Sequence, residues 1–394
     1  MDKLEGAGPC QGVRVIELGT SMVSGPFCGQ ILGDLGADVV KIENVHGDPM
    51  RVVPPLHDKM SGQFLQFNRN KRGAVLDLKS DKDRQIALRL IRRADVLIEN
   101  FRPGVTKRLG LDYAVVGPMN ERLVYVSITG FGSEGPYAKL PAYDQVIQGI
   151  AGFMPLQGSE ASPSAIRSVV VDKVTALSAA TAVLAALLHR ERSGRGQRVE
   201  VKMLDAFAAF ILPEYLAAHT FADQPPGNYP PSGIYKTLRT RDGHLVGLIS
   251  QDSQFKGICR ALGRDDLVAD ERFSTTVKRY AAMDELLAEL ERVTSTKPTD
   301  ELLEMLWADA EVAIAPVNSL TAFLEDPQVL HNKTSFSKVD PEIGSIRQLG
   351  PFASFGETPI GNFRRAPRLG EHTAQVLSEA ERIDVPPQES SPAE

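Results

Sequence analysis

A chain of 394 residues, 42% hydrophobic and 24% charged, is long enough for two or three cores and needs no disulfide or metal to hold them together. Its formal net charge of -6 weighs against a polyanion such as nucleic acid as the main partner, yet leaves room for a local basic pocket and a small anionic ligand. Cys10, Cys28 and Cys259 lie far apart with no Cys-x-x-Cys pair, which points to a reducing compartment; with no apolar leader after Lys3, the expected location is the cytoplasm.

Residues 13–18 form an apolar-rich run stopped by Gly19 and predict a strand. A helix over 25–35 follows, with Ser24 as N-cap and Pro26 in the first turn, and a strand over 38–43 comes next. Residues 74–78 predict a third strand, 81–93 an amphipathic helix, and 95–99 and 124–128 two further strands. A longer helix is expected over 172–192; its apolar stretch, 174–188, falls short of the ~20 residues of a bilayer span, so no membrane is expected. Residues 198–203 read as another strand. Strands alternating with helices imply right-handed crossovers and a mostly parallel sheet, a Rossmann-like α/β fold.

The run 223–233 holds four prolines and two glycines, which continue neither helix nor central strand, and reads as a linker. It divides a large α/β domain (1–222) from a smaller α+β domain (234–325), where a strand over 245–249 and helices near 252–262, 283–293 and 299–309 are expected. The segment 326–383 carries short β-like pieces and a final helix near 372–382, and the tail 384–394 is rich in Pro, Ser, Gln and Glu, a composition that favours disorder.

The first turn reads Gly19-Thr-Ser-Met-Val-Ser-Gly25, without the Gly-x-Gly-x-x-Gly that lets a backbone approach a pyrophosphate, so a dinucleotide site is not expected. Seven scattered histidines give no His-Glu-x-x-His, and neither a Gly-x-Ser-x-Gly elbow nor a Walker loop is present. The chemistry is left to carboxylates, hydroxyls, backbone amides or a bound organic molecule.

Four patterns in order narrow this further: Gly25-Pro26 with 35–43 (LGADVVKIE) behind it; Asn70-Lys71-Arg72 before Leu76-Asp77-Leu78-Lys79; 94–104 (ADVLIENFRPG); and 193–197 (SGRGQ) before Val199-Glu200-Val201. Together they resemble the class III CoA-transferase family, which includes formyl-CoA:oxalate and carnitine CoA-transferases and α-methylacyl-CoA racemases. The likeness extends from about Gly12 to 367–373 (PRLGEHT).

The resemblance implies a catalytic aspartate at Asp172, where the residues alone favour a helix N-cap. In both readings amides at a helix N-terminus would favour the ionised carboxylate. It implies a CoA site at Met22, Val23, Ser24, Leu76, Asn100, Phe101 and Arg108, with Phe101 near the adenine and Arg108 facing the phosphates. For 100–104 a plain surface turn stays open, and for Lys71 and Arg72 solvated surface charge. Tyr143 stands near the position where the racemases carry a histidine. A phenol with a pKa near ~10 is a poor base at neutral pH, which favours CoA transfer over α-proton exchange; a packed aromatic is the plainer reading of the same residue.

Formyl-CoA:oxalate enzymes carry glutamine and arginine where Val23 and Asn44 stand, and a glycine-rich loop where this chain has only Pro230-Pro231-Ser232-Gly233. Oxalate is therefore a poor expectation as acceptor, and a larger dicarboxylate with succinyl-CoA as donor is the alternative. CoA and acyl-CoA enter as substrates, with no permanently bound cofactor. The segment 326–383 is expected to return to the large domain, and an interlocked homodimer is the implied assembly. The rival functions are an acyl-CoA racemase or epimerase and a non-catalytic CoA-binding protein.

Overall fold

Six parallel strands build the main sheet of the computed structural model, which describes residues 8–19, 22–227, 236–247, 249, 251–308, 312–361 and 363–383. They are β1 (Arg14–Leu18), β2 (Asp38–Glu43), β3 (Lys71–Val75), β4 (Val96–Glu99), β5 (Val124–Thr129) and β6 (Arg198–Lys202), in the spatial order β3-β2-β1-β4-β5-β6. The order reverses between β1 and β4, the switch point outside whose carboxyl ends doubly wound folds bind ligands.

Alternation along β1 explains the two faces. Val15 joins Val39, Val96 and Val126 under α1 (Ser24–Asp34), while Ile16 and Leu18 join Val40, Ile42 and Leu97 under α2 (Asp81–Arg92). After α3 (Asp144–Ile150) comes α4 (Val170–Ser193), followed by α5 (Met203–Ile211). Small side chains on α4, at Ala176, Ala179 and Ala180, lie in the same core as Cys28, Ile31 and Leu32 of α1. At 24 residues α4 is long and apolar enough to cross a bilayer, so the length argument against a span fails. One side of the helix is occupied by the core just described.

Two boundaries near the site depart from expectation. Ser24 lies inside α1, whose N-cap position is Val23, and β3 occupies 71–75 rather than 74–78. Lys71 and Arg72 are consequently not solvated. Lys71 pairs with Glu17 at 2.8 Å, and Arg72 with Asp38 and Glu379, each at 2.6 Å.

The chain end completes this unit, which takes the residues up to Glu214 and from Lys333 onward. The final helix, Thr373–Arg382, lies on β3: the Thr373 hydroxyl accepts from the Val75 amide at 3.0 Å, and the His372 amide donates to the Gly73 carbonyl at 2.8 Å. Tyr215–Asn332 form a second unit, with the proline-rich break at 223–233 falling inside it. Its three antiparallel strands, Thr237–Arg239, His244–Gly247 and Ile314–Pro316, share a core of Leu245, Phe255, Phe273, Leu286 and Leu302 with the surrounding helices. Residues 228–233 of the expected linker and the tail 384–394 lie outside the described residues.

Candidate active site

A cavity of about 330 Å³ opens beside the switch point, lined among others by Met22, Ser24, Asn100, Phe101, Tyr143 and Asp172. A second, of about 250 Å³, shares Phe101 with the first and is lined by Leu76, Lys79, Arg108 and Asn44. Eight of the nine residues expected from the sequence thus fall on two adjoining cavities. Val23 is the exception: its side chain is buried with Met50, Met60 and Phe64, turned away from both.

Phe101 is held from two sides. The Glu99 carboxylate accepts from its amide at 3.0 Å, and its ring rests on Gly19, where a Cβ would sit 2.0 Å from the ring. Gly19 also has φ +52°, so glycine answers both a steric and a backbone demand. Burial raises the Glu99 carboxyl above its usual range. In the second cavity Lys79 and Arg108 are exposed and, among the described residues, engaged in no ion pair.

Asp172 departs from the sequence picture in a way that matters. The helix starts at Val170, so Asp172 stands within the first turn rather than at the cap. Asp144, at the head of α3, supplies the cap from outside: its Oδ2 accepts from the amides of Val171 at 2.8 Å and Asp172 at 3.2 Å. Gln148 Nε2 donates to Asp144 Oδ1 at 2.6 Å. The helix-terminal amides therefore serve Asp144, and the expectation that they hold the Asp172 carboxylate ionised is corrected.

The carboxyl of Asp172 is instead pushed up to about 6, first by burial and then by the like charge of Asp144. Ser24, on the wall of the same cavity, opposes this in part through its hydroxyl and amide. Asp144 and this use of Ser24 escaped sequence reasoning. A second acidic residue directly after Tyr143 was the available signal for Asp144. Tyr143 itself is 58% exposed at the mouth, in the N-cap position of α3, so it is not a packed core aromatic. Behind it Gly130 is fixed by close approach, since a Cβ there would sit 2.1 Å from that of Ala142.

A doubly wound sheet with a carboxylate of raised pKa in a cavity over its switch point has the architecture of an α/β enzyme, with the cavity where such folds bind their ligands. The model of CoA-transferase family III matches residues 10–373, and the chain belongs to that family. It is 36% identical to a succinate–glutarate CoA-transferase of Agrobacterium fabrum, over 95% of this chain and 96% of that one. It is 34% identical to a formyl-CoA:oxalate CoA-transferase of Streptomyces coelicolor, over 93% of each. The crystal structure of a CAIB/BAIF family protein from Brucella suis superposes with a TM-score of 0.84 at 32% identity, covering 95% of this chain and all of that one.

Proposed function

We propose that this enzyme moves CoA from an acyl-CoA to a carboxylic acid through covalent intermediates on Asp172. The observation that carries the reading is the Asp172 carboxyl in the cavity, raised to about 6. It is ionised at neutral pH and more basic than an ordinary carboxylate, hence a better nucleophile.

The carboxylate attacks the thioester carbonyl, giving a mixed anhydride and CoA thiolate. The thiolate attacks the aspartyl carbonyl of that anhydride, forming an aspartyl-CoA thioester and releasing the donor acid as carboxylate. The acceptor carboxylate attacks this thioester, again expelling thiolate. The thiolate then takes the acceptor acyl group and frees Asp172. No bond to water is made, and the partial burial of Asp172 suits anhydrides that water would hydrolyse. Ser24, which shares the cavity with the carboxyl and favours its ionised form, is suited to hold the attacking group in place.

For CoA, the second cavity offers Leu76 and Phe101 to the adenine, with the exposed cations Arg108 and Lys79 for phosphates. The pantetheine arm passes Phe101 and Asn100 toward Asp172. Val23 and Asn44 replace the glutamine and arginine of oxalate enzymes, and the name of the Agrobacterium relative favours C4 and C5 dicarboxylates as donor and acceptor acids. Racemisation calls for a second acid–base group of imidazole type, and Tyr143 occupies that place. We also propose a homodimer, supported by Leu177, Leu184 and Leu188, which stand 38–56% exposed along α4.

Incubation with succinyl-CoA and glutarate, then hydroxylamine or borohydride and peptide mass mapping, tests the mechanism. A trapped adduct at Asp172 is expected. An adduct elsewhere, or none while CoA exchange proceeds, removes it.

A further inference from the structure

Behind the turn that carries Met22 and Ser24 lie four charged side chains from four separate segments. Glu17 is on β1, Lys41 on β2, Asp48 in the loop after β2, and Lys71 on β3, and all four are fully enclosed. Lys41 Nζ reaches Glu17 Oε1 at 2.9 Å and Asp48 Oδ2 at 3.2 Å, and Lys71 Nζ reaches Glu17 Oε2 at 2.8 Å. Gly29 makes room for this, since a Cβ there would fall 2.0 Å from the Glu17 carboxylate.

We infer that this cluster is a positioning device, which clamps the segment from Met22 to Pro26 at both ends and so sets the Ser24 donors on Asp172. At one end Asp48 Oδ1 accepts from the Met22 amide at 3.4 Å and from the Met50 amide at 2.9 Å. At the other, Lys71 Nζ donates to the Pro26 carbonyl at 2.6 Å and to Asn68 Oδ1 at 2.8 Å. Ser24 lies midway between these ties. Met22 is held at φ +62°, a left-handed conformation that a non-glycine residue keeps only when its surroundings impose it. Buried ion pairs add little net stability compared with an apolar core of equal shape, so what the cluster supplies is geometry. The inference rests on Asp172 being the nucleophile.

The experiment reads the pH midpoint of Asp172 labelling by acyl-CoA and hydroxylamine. Among the described residues, the titratable and charged groups around Asp172 are these. Asp144 comes from α3, and Tyr143 and Arg102 line the cavity. Lys173 on α4 turns to Ser168, Asp205 on α5 pairs with Lys202, and Asp34 of α1 pairs with Arg69.

Ser24→Ala removes a donor to the ionised form, so the midpoint should rise by about one unit. Asp48→Ala and Lys71→Met each free one end of the clamp and should shift the midpoint in the same direction, by up to that amount. In a Ser24→Ala background neither should shift it further, because the effect passes through Ser24. A role confined to stability would lower Tm, leave the midpoint in place and add independently. Should either variant fail to fold, Asp48→Asn, which keeps the shape and weakens the acceptor, is read in its place. An unmoved midpoint in folded clamp variants, an unmoved midpoint in Ser24→Ala, or additive shifts overturn the inference. Absence of label in the wild type removes the nucleophile reading instead.

Discussion

Burial and Asp144 together make the Asp172 carboxyl harder to ionise, with consequences for both rate and stability. CoA exchange should fall as pH drops through about 6, two units above the fall expected for an ordinary aspartate, and a kcat-against-pH profile reads this directly. The stability effect has the opposite sense. Between the unfolded value near ~4 and the folded value the native state binds the extra proton, so stability declines as pH rises through that window. Asp172→Asn should therefore abolish exchange yet raise Tm at pH 7, by at most about 3 kcal/mol of stability, and leave Tm unchanged near pH 3.5. Asp144→Asn should move the acid limb below 6 by removing the like charge, while loosening the cap of α4, which a Tm measurement would register. Motif order singled out Asp172, Phe101 and Arg108, which the fold brings onto two adjoining cavities. It could not separate Asp172 from Asp144, because burial and like-charge contact are properties of neighbours distant in the chain.

Among the elements, β1, β2 and β4 follow from short apolar-rich runs, which the sheet buries on both faces, and α2 from its amphipathic period, since it buries one face against the sheet. β3 did not, for a physical reason. Its first two residues are Lys71 and Arg72, and charge ordinarily signals solvent, whereas here Glu17, Asp38 and Glu379 answer it inside the fold. α3 was missed because it spans seven residues, too few for a 3.6-residue period to declare itself. Close approaches between elements are equally silent in sequence, and they can be probed. Gly130→Ala should drive a methyl into Ala142 and lower stability by about 1–3 kcal/mol in denaturant unfolding. Gly19→Ala should displace the Phe101 ring and raise KM for acyl-CoA more than it lowers kcat, as separate titrations of the two parameters would show.

At the scale of the molecule, a parallel α/β sheet and a smaller α+β part were both legible, because strand–helix alternation dictates the first and turn composition marks a second. The unit boundary at Glu214 was not, since it falls beside the single Pro213 while the denser proline run at 223–233 carries the stronger composition signal. The proposed dimer gives a test here. Leu184→Glu with Leu188→Glu places charge on the exposed side of α4 and should shift the sedimenting species to a monomer; an unaltered dimer would put the interface elsewhere.

The last helix has a consequence for synthesis. Glu379, which neutralises Arg72 on the edge strand, is made 307 residues after it. At about 5–20 residues per second, a ribosome needs roughly 15–60 s to deliver that partner. Throughout that interval Arg72 has Asp38 as its acidic partner without Glu379, and β3 lacks the hydrogen bonds that His372 and Thr373 later give it, which leaves an edge where a holdase chaperone would be expected to bind.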